Sequence, residues 1–290
     1  MSTKTIGPVV PSRERLNSVT NPSNTEKMST STQRPFLSVV VPAYNEESRL
    51  PQNLKKILDF LRNQPYLFEI IVVDDGSTDN TVESSRNIAD NDPAVSIIEN
   101  EHYGKGYTVR TGMLAAKGEI VLFTDADLSV PISDIDLLLP WFEKEYDVVF
   151  GSREGGGDEQ RIKEPFYRHL MGRVFNALVQ LLAVRDVEDT QCGFKAMRYE
   201  VAQHIFPCLL IHDGSAGPID HPMVTAFDVE LLFLAQKAGY KLKEVPVKWY
   251  YGSESKVNPL ADSWRNFKDV IKVRLNDIQG RYKNLNHKKS

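Results

Sequence analysis

The feature that most constrains the fold is the regular alternation of short apolar runs with longer helix-like stretches from Phe36 onward. Apolar runs that no polar residue interrupts are typical of strands buried on both faces of a sheet. We predict strands at Leu37–Val41, Glu69–Val73, Val95–Glu99, Glu119–Thr124 and Asp147–Phe150. We predict helices near Ser48–Arg62, Asn80–Ala89, Gly106–Ala116 and Ser133–Lys144. Strict alternation indicates βαβ units and therefore an α/β fold with a mostly parallel central sheet flanked by helices.

The chain length is compatible with one large α/β domain or two small ones, since the chain has 290 residues. Residues 1–34 are rich in Ser, Thr, Asn and Pro and show no apolar period, so we expect a disordered tail. We assign residues 35–282 to a single catalytic domain and residues 283–290 to a basic carboxy-terminal tail.

Charge and composition exclude several classes of protein. The net charge of -4 argues against a general nucleic-acid binder, so we expect no nucleic-acid partner. Two cysteines form neither a disulfide scaffold nor a zinc cluster, which favours a reducing compartment. No stretch approaches the ~18 apolar residues that cross a bilayer. We therefore expect a cytoplasmic protein without a membrane span.

Polar clusters follow four of the predicted strands at the point where each strand ends. They are Pro42–Glu47, Asp74–Asp79, Asp125–Asp127 and Gly151–Arg153. In an open parallel sheet the carboxyl ends of the strands form one rim, and ligands bind beyond it. Chance could produce one or two such clusters, but clusters after four of the five predicted strands predict a binding site along this rim.

The aspartates at these strand ends are the strongest chemical signal. Asp125 and Asp127 would place two carboxylates at the end of a buried strand, where they could hold a divalent cation and, through it, a diphosphate. The alternative is an acidic turn, which would explain an isolated Asp-X-Asp. The adjacent Asp74 and Asp75 are harder to explain in that way, because paired anions repel each other unless something binds there.

Eight segments of the chain resemble motifs of inverting family 2 glycosyltransferases, in particular the branch that uses polyprenyl phosphates. The resemblance covers roughly Phe36 to Arg281, and the run Asp189–Lys195 is most similar to that of dolichyl-phosphate β-glucosyltransferases. The segments are Pro42–Glu46, Asp74–Asp79, Gly104–Gly106, Asp125–Asp127, Gly151–Arg153, Arg168–Gly172, Asp189–Lys195 and Phe227–Glu230. The resemblance implies the GT-A type of α/β fold, with a Rossmann-like sheet.

The resemblance also implies which residues bind a nucleotide-sugar donor. The residues implied to bind the nucleotide sugar, at or near its base and nucleoside, are Pro42, Ala43, Tyr44, Glu46, Asp74, Asp75 and Lys105. Asp125 would contact the ribose or the sugar, and Asp127 would ligate Mg²⁺ or Mn²⁺ on the diphosphate. Where some relatives carry a glutamine that can also bind metal, this chain has Ser129, a weaker ligand.

The acceptor side of the implied site is built from arginines and further carboxylates. Arg153, Arg168 and Arg173 would gather around a polyprenyl phosphate. Asp189 and Gln191 would face the sugar, and Asp228 and Glu230 would lie beside the reacting centre. A phosphate monoester is largely ionised near neutral pH, so arginines that position it matter more than a strong general base.

The leading interpretation is transfer of a hexose, with glucose from UDP-glucose as the favoured donor sugar, to a polyprenyl phosphate with inversion. One alternative keeps the fold but uses GDP-mannose or a different acceptor, with Asp189 or Asp228 as a base. Another is a non-catalytic nucleotide-sugar binder, against which the intact Asp125 and Asp127 argue.

A polyprenyl acceptor would require contact with a membrane surface at its cytoplasmic face. Five apolar residues recur at helical spacing near the carboxyl terminus: Trp264, Phe267, Ile271, Leu275 and Ile278. Basic residues surround them, as in helices that lie in an anionic interface. The alternative is that this stripe packs against the domain. A second candidate for lipid contact is the apolar stretch Met171–Val184.

Overall fold

The structure is a computed structural model that describes residues 33–154, 161–162, 183–211, 213–215, 217–219, 227–250, 259–283 and 285, without side chains at 161–162 and 259–264. Most of the predicted tail, residues 1–32, lies outside this part of the chain, as do 284 and 286–290 of the basic tail. Arg168, Arg173 and almost all of the stretch Met171–Val184 also lie outside it.

The predicted strands and helices are present, with small shifts of their ends. The strands are β1 Leu37–Ala43, β2 Phe68–Asp75, β3 Val95–Asn100, β4 Ile120–Thr124, β5 Val148–Ser152, β6 Arg161–Ile162, β7 Phe194–Arg198, β8 Leu242–Pro246 and β9 Trp249–Tyr250. The helices are α1 Leu50–Leu61, α2 Thr81–Ala89, α3 Lys105–Ala115, α4 Ile135–Glu143, α5 Tyr199–Ile205, α6 Phe227–Lys237 and α7 Pro259–Ile278.

Within the described residues the central sheet has seven strands in the order β3-β2-β1-β4-β7-β5-β8. The pairs among β3, β2, β1 and β4 are parallel, as is the pair β5–β8. Strand β7 is antiparallel to both of its neighbours, β4 and β5. The mostly parallel α/β fold that the alternation predicts is therefore confirmed, with one reversed strand inserted into it.

The order of the strands places a crevice beside the end of β1. Strand β1 pairs with β2 on one side and with β4 on the other, so the chain winds outward to β3 and then returns across β1. A reversal of this kind separates the loops that leave adjacent strands and opens a ligand site at their carboxyl ends.

Helices cover both faces of the sheet, and each face has its own apolar core. On one face Val40, Val73 and Phe123 pack with residues of α3, α5, α6 and α7. On the other, Val39 and Leu122 pack with residues of α1 and α4. Because both faces are covered, β1, β2, β4 and β5 are mainly apolar, and polar side chains collect where these strands end.

Candidate active site

The carboxyl ends of β1, β2, β4 and β5 lie on one rim of the sheet, as predicted. The reversed strand β7 begins on the same rim, because Phe194 at its start pairs with Thr124 at the end of β4. The loop that precedes β7 therefore lies at the same rim as the carboxyl ends of β1, β2, β4 and β5. This register brings the segment Asp189–Gly193 close to Asp125, although the two are more than sixty positions apart in the sequence.

The loops after β1 and β2 are held together by hydrogen bonds between them. The backbone N–H of Asn45 donates to Ser77 Oγ at 2.9 Å, and that of Thr78 donates to Asn45 Oδ1 at 2.8 Å. The N–H of Glu46 donates to Thr81 Oγ1 at 2.7 Å, while the Glu46 carboxylate pairs with Arg49. Pro42 and Ala43 form the last two residues of β1, so the predicted base-binding segment begins on a rigid strand.

Asp74 has a buried carboxylate oxygen that lacks a hydrogen-bond partner among the described residues. Its Oδ2 accepts the N–H of Ser77 at 2.9 Å, whereas its Oδ1 is enclosed and has no hydrogen-bond partner. Burial raises the pKa of Asp74, and the hydrogen bonds from Ser77 offset part of that effect. An unpartnered buried acceptor is costly to leave unsatisfied, which is consistent with a contact to a nucleoside hydroxyl or N–H.

Asp75, which we predicted beside the nucleoside, organises the loop after β3. Its carboxylate accepts the N–H groups of Tyr103 and Gly104 at 2.9 and 3.0 Å and contacts His102 Nδ1 at 2.8 Å. The His102 ring stacks on Tyr44, with 4.0 Å between ring centroids and an interplanar angle of 4°. His102 Nε2 is buried without a partner. Sequence reasoning missed His102, since no motif spacing marks it.

Lys105 and Asp125 form an ion pair at the centre of the rim. Lys105 is the first residue of α3, and its Nζ lies 2.6 Å from Asp125 Oδ1. Burial alone would lower the pKa of Lys105, but Asp125, Asp228 and Asp127 outweigh it and raise this pKa above its ordinary value. The amino end of α3 and its lysine form a cationic surface that suits a diphosphate.

Gly193, at the end of the loop before β7, makes room for the Asp125 carboxylate. A Cβ atom at this position would lie 2.1 Å from Asp125 Oδ2, far inside van der Waals contact. Gly193 belongs to the motif Asp189–Lys195, but the resemblance implies no function for it. Its importance follows from the register of β7 against β4, which local patterns do not reveal.

Asp127 is the carboxylate that we predicted as a metal ligand. Its Oδ1 accepts the N–H and the Oγ–H of Ser129, both at 2.9 Å, and these bonds orient the carboxylate. Within the described ranges no cluster of three or more His, Cys, Asp or Glu side chains could hold a metal ion. The Asp127 carboxylate is the kind of oxygen donor that Mg²⁺ and Mn²⁺ prefer, and diphosphate oxygens and water would have to supply the other ligands.

Asp228 and Glu230, which we predicted together beside the reacting centre, lie on different sides of α6. Asp228 pairs with Lys195 of β7 at 2.7 Å and faces the rim. The Glu230 carboxylate accepts the N–H groups of Leu210 and Ile211, both at 2.9 Å, and the hydroxyl of Tyr282 at 2.8 Å. Residues two positions apart on a helix do not share a face. The contacts of Glu230 are those of a buried structural anchor.

Asp189 is engaged with Arg153 and is nearly inaccessible. The Arg153 guanidinium donates from Nε to Asp189 Oδ2 at 2.7 Å and from a terminal nitrogen to Oδ1 at 2.8 Å. Burial would raise the pKa of Asp189, but the Arg153 charge and these hydrogen bonds hold it well below its usual range. Asp189 also accepts the N–H of Gln191 at 3.1 Å, so it fixes both the arginine and this loop.

Comparison with known proteins covers most of the chain. A model of glycosyl transferase family 2 matches residues 38–206. The dolichyl-phosphate β-glucosyltransferase of Dictyostelium discoideum is 34% identical over 261 residues, covering 86% of this chain and 76% of that protein. The human protein of the same name is 33% identical over 264 residues, covering 85% of this chain and 77% of its own length.

A solved structure shares the fold at lower sequence identity. It is glucosyl-3-phosphoglycerate synthase from Mycobacterium tuberculosis in complex with Mn²⁺, UDP-glucose and phosphoglyceric acid. The TM-score is 0.52 at 21% identity, and the match covers 88% of this chain and 81% of the other. The family match starts in β1 and ends just after α5, so it includes the ends of β1, β2, β4 and β5 and the start of β7.

Proposed function

We propose that this chain, which belongs to glycosyl transferase family 2, transfers glucose from UDP-glucose to dolichyl phosphate with inversion. The observation that carries the proposal is the placement of Asp125, Asp127 and Lys105 together at the crevice beside β1. The two dolichyl-phosphate β-glucosyltransferases compared above, each at least 33% identical, support the choice of sugar and acceptor.

The donor lies across the ends of β1, β2 and β4. Tyr44 and the unpartnered Oδ1 of Asp74 line the nucleoside end, and Lys105 at the start of α3 meets the diphosphate. Asp127 would hold Mg²⁺ or Mn²⁺, which would neutralise the charge that develops on the leaving diphosphate. The Mn²⁺ and UDP-glucose in the mycobacterial synthase support a divalent ion and this donor.

The acceptor is a phosphate monoester that is already ionised, so its oxygen can attack the anomeric carbon without a strong base. The carbon–oxygen bond to UDP breaks as the new bond forms, and its electron pair leaves with the diphosphate. Arg153 positions the acceptor phosphate from a guanidinium whose plane Asp189 fixes with two hydrogen bonds. Asp228, whose charge is balanced by Lys195, lies on the sugar side of the site.

A panel of donors and acceptors tests the proposal. Purified protein with Mn²⁺ is given UDP-glucose, UDP-galactose, UDP-N-acetylglucosamine or GDP-mannose, each with dolichyl phosphate, and nucleotide release is measured. We expect release from UDP-glucose to exceed the others by at least about tenfold, a difference of about 1.4 kcal/mol in transition-state binding. A preference for GDP-mannose would reject the donor. Equal release with and without dolichyl phosphate would reject the acceptor.

We also propose that the protein binds peripherally to the cytoplasmic face of a membrane through α7. Among the described residues no helix is long and apolar enough to cross a bilayer. Helix α7 packs Val270 and Val273 into the core but exposes Ile271, Leu275 and Ile278 on another face. The predicted stripe is thus exposed at three of its positions, and Trp264 lies outside the described side chains.

Positive charge lies beside this exposed stripe. A cleft of about 560 Å³ between α7 and the loop at 210–215 is lined in part by Lys272, Arg281 and Lys283. Each cation near an anionic leaflet contributes about 1 kcal/mol, and burying apolar side chains in the interface adds to that. The combination supports reversible, salt-sensitive adsorption to anionic lipid.

Flotation with liposomes that contain anionic lipid tests the membrane proposal. Leu275→Asp should leave the protein unbound, because it places a charge in the middle of the stripe. Leu137→Asp is the matched control, since Leu137 of α4 is 48% exposed and Leu275 is 49% exposed. We expect the control to float like the native protein, and we expect salt to weaken the binding of both proteins to the liposomes. Equal flotation of the two variants would contradict the assignment of α7.

A further inference from the structure

The positive charge of Lys105 interacts with several carboxylates at once. Its Nζ contacts Asp125 directly at 2.6 Å, and the charges of Asp228 and Asp127 also favour its protonated form. Asp228 has a second cation, Lys195, at 2.7 Å. Among the described side chains, Lys105 is the cation that pairs with Asp125, and Asp127 forms no ion pair of its own.

Asp127, two positions after Asp125, is the carboxylate that would receive a divalent cation. A metal on Asp127 would lie close to Asp125, two positions away on the same turn, where the ammonium of Lys105 now lies. Two cations in one small site repel each other, so either the ammonium moves or the metal binds weakly. In this arrangement Lys105 opposes the binding of a divalent metal ion when no nucleotide is bound.

Lys105 also has the freedom to move when a diphosphate enters. Its side chain is 37% exposed and lies on the first residue of α3, where the free N–H groups of the helix attract anions. The preceding Gly104 is held in place by two contacts of its N–H with Asp75 at 3.0 and 3.1 Å. The backbone is therefore fixed while the lysine side chain can turn from Asp125 to a phosphate.

We propose that Lys105 is an internal counter-ion of Asp125 that keeps the affinity for divalent metal low in the free protein. When the donor binds, the Lys105 ammonium leaves Asp125 and pairs with the diphosphate instead. This inference rests on the proposed nucleoside diphosphate donor. It makes metal and donor binding mutually dependent, and by linkage each must strengthen the other by the same factor. The protein then binds the metal together with the nucleotide.

Titration of Mn²⁺ followed by electron paramagnetic resonance, with and without UDP, tests this role. We compare the native protein with Lys105→Gln, which loses the charge, and with Lys105→Arg, which keeps it. Lys55→Gln is the matched control, because Lys55 is an exposed residue of α1. Urea denaturation of each variant verifies that the fold is intact.

Without UDP, we expect Lys105→Gln to bind Mn²⁺ at least about threefold more tightly than the native protein, the effect of about 0.7 kcal/mol for a partly exposed ion pair. UDP should tighten Mn²⁺ binding strongly in the native protein and Lys105→Arg, but less in Lys105→Gln. The control should match the native protein.

Two results would overturn the inference: one leaves the proposed function intact, and the other rejects the proposed donor site as well. Mn²⁺ binding without UDP that is unchanged or weaker in Lys105→Gln would show that Lys105 does not oppose the metal, and the proposed function would stand. A failure of UDP to tighten Mn²⁺ binding in the native protein would reject both the coupling and the proposed donor site.

Discussion

Lys195 of β7 and Asp228 of α6 form a buried ion pair, with 2.7 Å between Nζ and Oδ1 and a lysine side chain that has no exposure. The ammonium also donates to the carbonyl oxygen of Cys192 at 2.5 Å. Because removal of one partner strands the other charge in the interior, such a pair is costly to break. It joins the reversed strand to the helix that carries Asp228 and so fixes one side of the rim.

Replacement of Lys195 should therefore destabilise the protein far more than replacement of an exposed lysine. We expect Lys195→Met to lower the free energy of unfolding by about 3 kcal/mol, measured by urea denaturation. The matched control is Lys237→Met on α6, which breaks the exposed pair with Asp277 at 2.6 Å and should cost less than about 1 kcal/mol. Similar losses in the two variants would contradict a structural role for the buried pair.

Asp127→Asn should abolish transfer while the fold stays intact. Loss of the metal-binding carboxylate removes several kcal/mol of charge stabilisation, so we expect the initial rate to fall about 10³-fold. The unfolding midpoint should change little, since within the described part of the chain the Asp127 carboxylate is hydrogen-bonded to the nearby Ser129 alone. Asp59→Asn, at an exposed position of α1, serves as the control. Retained activity in Asp127→Asn would refute the metal assignment.

Gly193→Ala tests the close approach of the loop before β7 to Asp125. The added Cβ would lie 2.1 Å from Asp125 Oδ2, so the carboxylate must move away from its position beside Lys105. We expect UDP affinity, measured by calorimetry, to fall about tenfold, which corresponds to about 1.4 kcal/mol.

A double-mutant cycle identifies the cause of that loss. In an Asp125→Ala background, Gly193→Ala should have little further effect, because the group that it displaces is already gone. Additive losses would show that Gly193→Ala acts through the backbone instead.

The ion pair between Asp189 and Arg153 predicts a specific pH dependence of stability. The pKa of Asp189 is lower in the folded protein than in the unfolded chain. The contribution of Asp189 to the free energy of unfolding is therefore fully present above the unfolded pKa of about 3.9, and it is lost as the pH falls toward the folded pKa. We expect Asp189→Asn to cost about 2 kcal/mol at pH 7, measured by urea denaturation, since the arginine is partly exposed.

The difference between the native protein and Asp189→Asn should stay constant from pH 7 to about 5 and should shrink below about pH 4. Arg86→Gln provides a comparison, because it breaks an exposed ion pair with Glu99 and should have a small effect throughout. A difference that persists undiminished at the lowest pH would contradict the ion-pair account.

The sequence predicted the parts of this fold that local patterns determine. Apolar runs such as Leu37–Val41 and Glu119–Thr124 define strands, and polar residues that follow them must lie at a strand end. Asp125 and Asp127 could therefore be assigned to one rim. Lys105 was placed there by the resemblance, and the structure brings it into contact with Asp125.

What local patterns could not predict are the contacts that depend on pairing of distant segments. The insertion of β7 between β4 and β5 buries Lys195, which a sequence pattern would place on the surface. The same register sets Gly193 against Asp125. Asp75 and Glu230 were assigned to the site by resemblance, yet their carboxylates are occupied by backbone N–H groups from other loops.

The measurement that tests the central claim most directly is the transfer of radiolabelled glucose from UDP-glucose into the organic phase. The native protein is incubated with Mn²⁺ and either dolichyl phosphate or dolichol, which lacks the phosphate. We expect the native protein to bring label into the organic phase when dolichyl phosphate is the acceptor. We expect no label when dolichol is the acceptor or when Asp127→Asn replaces the native protein. Transfer to dolichol, or no transfer to dolichyl phosphate while UDP still binds, would contradict it.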